Sequence, residues 1–190
     1  LYKRGYRAET TAAPINEVLA AGMIKLSGWD GKRPFLDLLC GSGTILIEAA
    51  MMACNMPAGM NRNAFAFKQW NDFDMDLWKQ VKAEAMEAIT PLETVIEGCD
   101  ISPYVIEKAE KNIEEAGFEG QIHVRTSSFQ NFKPSSPGGV IVCNPPYGEK
   151  LQPEDINTLY TEFGNTLKQS YAGFEAWLIT SNPEALKNVG

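Results

Sequence analysis

The chain has 190 residues, enough for one sizeable core. Apolar residues make up 44% and charged residues 22%, which excludes a disordered chain, and no apolar run is long enough to span a bilayer. The net charge of −7 argues against this segment alone gripping a polyanion, since nucleic-acid binders usually carry a basic face.

The first residues, Leu1-Tyr2-Lys3-Arg4, show no methionine and no signal-peptide pattern, so the sequence reads as a piece of a longer chain. Ile15, Val18, Leu19, Gly22, Met23 and Leu26 recur at helical spacing, with Pro14 placed for a first helical turn. "PFLDLL" (34–39) is a short apolar run before glycines and predicts a buried strand. "TILIEAAMMAC" (44–54) predicts a helix, and "NMPAGMNRN" (55–63) a loop. Within that helix Glu48 lies among apolar neighbours, so a partner is expected, with Arg4 and Arg7 as the candidates. Trp78, Val81, Ala85 and Ile89 mark another helix, ended by Pro91. "TVIEGCD" (94–100) predicts the second strand. Ser102 and Pro103 open a helix that Gly117 can end, with Val105, Ile106, Ala109 and Ile113 as its apolar face. "QIHVRT" (121–126) and "GGVIVC" (138–143) predict strands. Ile156, Leu159, Tyr160, Phe163 and Leu167 mark a helix, and "EAWLIT" (175–180) a fifth strand.

Strand and helix alternate, so the fold class is α/β with a mainly parallel sheet and helices on both faces. Residues 55–93 are too long for an ordinary connection and read as an insertion, packed down by Phe65, Phe67, Trp70 and Trp78. Cys40, Cys54, Cys99 and Cys143 form no C-x-x-C pair and read as buried thiols of a reducing cytoplasm, not as a metal site.

Two constellations carry chemistry. "DLLCGSGT" (37–44) ends a strand, turns on two glycines and begins a helix, the nucleotide-crevice position of an open α/β sheet. Leu46 stands where a dinucleotide fingerprint has its third glycine, and the Lys-Ser/Thr of a phosphate loop is missing. A pyrophosphate ligand is therefore disfavoured. Asp37 precedes the turn, where its carboxylate can face the crevice, and Asp100 ends the next strand, where a carboxylate can take both hydroxyls of a ribose. The alternative for Asp100 is a helix cap ahead of Ser102. A cationic nucleoside without phosphates suits this lining, and S-adenosylmethionine is one. The second constellation, "NPPY" (144–147), follows the fourth strand. Pro145 and Pro146 fix φ and lack N–H donors, so their carbonyls remain as acceptors. Asn144 adds a side-chain carbonyl and Tyr147 a flat π surface. The corner suits a planar substrate bearing an –NH₂ group.

The two motifs together resemble the Rossmann-like, S-adenosylmethionine-dependent amino methyltransferases. "LYKRGYR" (1–7), "APINEVLAA" (13–21), "FKQWNDFD" (67–74), "GCDISPYVIEKAEKN" (98–112) and "NPPYGEKL" (144–151) extend the resemblance to the bacterial ribosomal RNA guanine-N2 methyltransferases. The resemblance implies a class I methyltransferase domain over residues 1–190, with residues 1–30 as a cofactor-covering segment. It also implies that a THUMP RNA-binding domain of the full chain, and the last strands of a seven-stranded sheet, lie outside this sequence. By the same resemblance, Gly41, Gly43 and Thr44 cradle the methionine part of the cofactor beside Asp37 and Cys40, and Thr11, within Thr10–Pro14, closes over it. Asp100 and Ile101 hold the ribose and adenine edge. Ser128, where the family has Asp, contacts the adenine amine. Asn144, Pro145 and Tyr147 hold the target base. The implied reaction is methyl transfer to the N2 amine of a guanine in ribosomal RNA, in the cytoplasm, without metal or membrane. Methylation of tRNA guanine-N2, DNA adenine-N6 or a protein glutamine-N5 uses the same corner, and an inactive cofactor- or RNA-binding module is the non-enzymatic alternative.

Overall fold

The structure, a computed structural model, describes residues 4–7, 15–60, 62, 64–146 and 153–190. Five strands form one parallel sheet: β1 (Phe35–Asp37), β2 (Ile96–Asp100), β3 (Ile122–Thr126), β4 (Gly139–Cys143) and β5 (Phe174–Leu178). Their spatial order is β3-β2-β1-β4-β5. The chain therefore reverses direction of winding between β1 and β4, which pair with Phe35 opposite Val140 and Leu36 opposite Ile141. In open α/β sheets the carboxyl ends of two such strands are where a ligand crevice forms.

Successive strand side chains point to opposite faces, and the core follows that period. Phe35, Val140 and Val142 join one apolar cluster with residues of α1 (Glu17–Leu26), α2 (Thr44–Ala53) and α4 (Pro103–Glu115). Leu36, Ile141 and Cys143 join the other, against Phe163 of α5 (Pro153–Ser170). The sheet is thus covered on both faces, but only at its centre. β1, β4 and most of β2 are buried, whereas β3 exposes His123, Arg125 and Thr126, and β5 exposes Glu175, Ala176 and Trp177. Continuous burial marks the central strands alone, Asp37 and Glu97 included, as expected for a sheet whose edges lie outside its helical layers.

Three expectations need correction. The first helical turn starts at Glu17 and does not include Pro14, which lies outside the described residues. Asn16 is its N-cap, its side chain accepting the Val18 and Leu19 N–H groups, and Glu17 begins the helix. Ser102 does precede Pro103 at the start of α4, but its hydroxyl makes no capping bond. The insertion also packs differently. It forms a short 3₁₀ turn (Ala66–Gln69) and α3 (Met75–Glu87), and α3 has no buried residue. Phe65 and Phe67 meet Trp78 at tilted and edge-on angles, with centroid distances of 5.3 and 5.1 Å, but Trp70 is 67% exposed. Met56, before this segment's helices, and Ile89 and Leu92, beyond α3, reach the main core. Among the described residues no helix is long and apolar enough to cross a membrane.

One close approach shapes the crevice. A Cβ at Gly98 would meet Leu46 Cδ1 at 2.6 Å and the Asp37 carbonyl oxygen at 2.9 Å. Leu46 occupies the helix position where dinucleotide folds use glycine for close helix–strand packing. Here the glycine stands on β2 instead, and the bulk on α2.

Candidate active site

The turn after β1 needs backbone that only glycine adopts easily. Gly41 has φ +53° and Gly43 φ +82°, both left-handed. Gly43 is also the N-cap of α2, so no side chain satisfies the first N–H groups of that helix. The turn is fixed from outside. Cys40 donates its N–H to the Cys99 carbonyl at 2.9 Å, and Gly41 donates to Asp100 Oδ2 at 3.2 Å. Asp100 Oδ1 accepts the Ser102 N–H at 3.0 Å. Asp100 thus turns the chain into α4 and ties the end of β2 to the glycine turn, while Ser102 holds the N-cap position. Each oxygen retains acceptor capacity toward the crevice edge.

A residue that pattern reading passed over completes the turn. Asn112 is buried on α4 and donates Nδ2–H to the Ser42 carbonyl at 3.0 Å. A polar residue in register with Ile106, Ala109 and Ile113 on a buried face is the signal that marks it.

Asp37 is 1% exposed, so it lies beneath the turn and not at the crevice surface, a correction to the sequence expectation. Its Oδ1 accepts the Leu39 N–H at 3.1 Å, and its carboxyl receives the Cys143 thiol. Cys143 Sγ in turn accepts the Leu38 N–H at 3.2 Å. Burial, with a smaller push from the Asp100 carboxylate, raises the Asp37 pKa to about 7 against the pull of its hydrogen bonds. The sign of the linkage follows. Folding holds the proton on Asp37 between its unfolded value and about 7, so this group's contribution to stability falls as pH rises through that window. The slope is at most about 1.4 kcal/mol per pH unit. Urea denaturation of wild type and Asp37→Asn from pH 4.5 to 7 measures it. The variant should lack this downward component, and identical slopes would remove the assignment.

Across the crevice, β4 ends at Cys143 and the chain enters Asn144, Pro145 and Pro146. Asn144 Oδ1 is buried and, among the described residues, has no hydrogen-bond donor. Pro145 is buried and Pro146 exposed. Because β4 pairs with β1, the Cys143–Leu38 and Cys143–Asp37 contacts lock this corner to the start of the glycine turn. Tyr147 and Thr11, both named from the sequence, lie outside the described residues.

Ile101 is 75% exposed beside Asp100. Ser128 is half-buried in the loop after β3, and its carbonyl accepts the Asn131 and Phe132 N–H groups. Cys40 is buried, and burial above all raises its thiol pKa, so it stays protonated. Cys54, Cys99 and Cys143 are likewise buried free thiols. No cluster of metal-ligating side chains occurs among the described residues. Thr44 Oγ1 accepts Arg7 Nη2–H at 3.0 Å, while Glu48 is taken by Arg4 and by the Tyr6 hydroxyl. The partner expected for Glu48 is thus Arg4, and Arg7 has a different post.

The residues present fit a cationic nucleoside that also bears a carboxylate: positive-φ glycines allow close approach, the carboxylate at the end of β2 suits hydroxyl or cationic groups, and the uncapped helix start suits the anionic end. Residues 4–189 match the model of the RMKL-like methyltransferase domain. A Vibrio parahaemolyticus relative, ribosomal RNA large subunit methyltransferase K/L, is 42% identical over 98% of this chain and 27% of its own length. The crystal structure of SMU.472 complexed with SAH superposes with a TM-score of 0.91 at 38% identity, over all of this chain and 49% of that one. A Listeria monocytogenes structure, named a predicted N6-adenine-specific DNA methylase, gives a TM-score of 0.87 at 36% identity, over all of this chain and 50% of its own. The chain thus spans between a quarter and a half of the length of these relatives.

Proposed function

From the premise that this chain belongs to the RMKL-like methyltransferase domain family, we propose that it transfers a methyl group from S-adenosylmethionine to the exocyclic N2 amine of a guanine in ribosomal RNA. The observation that carries the reading is the buried, unpartnered Asn144 Oδ1 beside the glycine turn. A buried acceptor without a donor is costly. An incoming N–H group removes that cost. The name of the Vibrio relative supports RNA as the substrate.

When bound, S-adenosylmethionine supplies an electrophilic methyl group. Gly41, Gly43 and Thr44 hold its methionine end, and Asp100 its ribose hydroxyls. Ile101 covers the adenine face, and Ser128 meets the adenine edge. The target amine is a weak nucleophile, because its lone pair is delocalised into the ring. Asn144 Oδ1 and the Pro145 carbonyl accept its two N–H bonds and turn the lone pair toward the methyl position. They also stabilise the positive charge that develops on nitrogen. Tyr147 stacks on the base. A paired guanine must first leave its helix, at a cost of a few kcal/mol. This chemistry belongs to the cytoplasm, where ribosomal RNA is made accessible during assembly.

The name of the Listeria relative favours a second reading, methylation of adenine-N6 in DNA, and the corner also fits a tRNA guanine or a protein glutamine. Labelled methyl transfer by the full-length protein to undermethylated ribosomal RNA, tRNA, DNA and release factor separates them. Mass spectrometry of ribosomal RNA from cells lacking the gene should show one N2-methylguanosine lost. Intact ribosomal RNA methylation with transfer to another member of the panel would replace the reading, and absence of cofactor binding would leave a non-catalytic module.

A further inference from the structure

We propose that Arg7 recognises the carboxylate at the methionine end of the cofactor, an inference that rests on the S-adenosylmethionine reading above. The two arginines of the "KRGYR" segment have divided tasks. Arg4 neutralises Glu48, with Nε–H and Nη2–H donated at 3.2–3.3 Å, and Tyr6 adds its hydroxyl at 3.0 Å. Arg7 turns the other way, to the start of α2. Its Nη2 donates to Thr44 Oγ1 at 3.0 Å and to the Ile15 carbonyl at 2.9 Å, and stands 3.5 Å from Glu17 Oε1.

These contacts hold the guanidinium without using it up. The Arg7 side chain is 16% exposed, and its Nε is buried with no acceptor among the described residues. A buried N–H of a cation is costly to leave unpaired. Its immediate neighbour, Thr44, is the first residue of a helix whose N-cap, Gly43, offers no side chain. An anion at this place meets a guanidinium and the positive end of α2 together. Glu48 cannot be that anion, since Arg4 and Tyr6 hold it. Glu17, at 3.5 Å, approaches Nη2 and leaves Nε unserved. The cofactor carries one carboxylate, on the methionine portion that the adjacent glycine turn receives.

The test is calorimetric titration of the full-length protein with three ligands. S-Adenosylhomocysteine has the carboxylate. Decarboxylated S-adenosylmethionine lacks only that group among its recognition elements and keeps the ammonium. 5′-Methylthioadenosine lacks the whole amino-acid end. Arg7→Met should weaken S-adenosylhomocysteine roughly 10- to 100-fold, the range for losing a charge-assisted hydrogen bond. It should leave the other two within about twofold, a range too small to reflect loss of such a bond. Arg7→Lys keeps a cation near Glu17 but removes the Nε–H, and should show the same selective loss in smaller measure, so the inference stands even if the methionine variant folds poorly. Equal weakening of all three ligands would make Arg7 a brace for the glycine turn and overturn the proposal, as would no weakening at all. Wild-type protein that binds none of the three would instead bring down the cofactor reading, and this inference with it.

Discussion

Asn144→Ala should lower methyl transfer by at least about 10²–10³-fold, the effect of removing one preorganised acceptor or donor from a developing charge, while leaving cofactor affinity unchanged. The reason lies in where Asn144 stands. It is the first residue after β4, beside β1, and its Oδ1 makes no hydrogen bond among the described residues. A side chain that merely capped a proline turn would spend that oxygen on a backbone N–H. Its loss would then cost about 0.5–2 kcal/mol, as loss of a cap does. For Asn144 the opposite holds: truncation removes an unsatisfied buried acceptor, so thermal stability should be unchanged or slightly higher. Three measurements on the full-length protein decide the matter: labelled-methyl turnover on undermethylated ribosomal RNA, S-adenosylhomocysteine titration, and a melting curve. Turnover near wild type would sink the assigned role. Lost turnover with a lowered melting temperature and lost cofactor binding would make Asn144 a structural turn residue.

The sequence made the crevice legible because its chemistry is local. Gly41 and Gly43 announce left-handed backbone, and Pro145 and Pro146 announce missing N–H donors, without reference to any distant residue. Alternation of apolar runs gave the five strands, and the structure agrees with each to within two residues. What escaped was set by contacts between distant segments. Asp37 looks the same in sequence whether it faces the crevice or sits under it, and only the approach of Cys143 and Asp100 decides. Asn112 reads as one polar position on an amphipathic helix, and its bond to Ser42 appears only when α4 packs beside the turn. Trp78, Val81 and Ala85 have helical spacing, yet α3 buries none of its residues, because periodicity reports an apolar face and not its partner. Glu48 announced the need for a cation, but choosing Arg4 over Arg7 required the fold.

That choice leads to the largest expected effect on stability. Arg4→Met should cost about 3–5 kcal/mol, the range for removing one partner of a buried ion pair. Glu48 is 3% exposed, and burial is the foremost cause raising its pKa, opposed by Arg4. Without Arg4 the carboxylate keeps only the Tyr6 hydroxyl and must take up a proton to remain buried. The penalty therefore depends on pH. A carboxyl whose folded pKa lies above its unfolded value loses stability as pH rises, so Arg4→Met should be weakest at neutral pH and recover toward about pH 4–5. Replacing both residues by methionine removes the stranded charge, and the double variant should be more stable than Arg4→Met alone. Urea denaturation of the four proteins gives the coupling energy, and a value near zero would dissolve the pair. The pair also has a functional consequence, because Arg4, Tyr6 and Glu48 fasten residues 4–7 to the flank of α2, and Arg7 reaches Thr44 from that anchor. Arg4→Met should therefore weaken S-adenosylhomocysteine binding as well, and the double variant, although more stable, should not restore it.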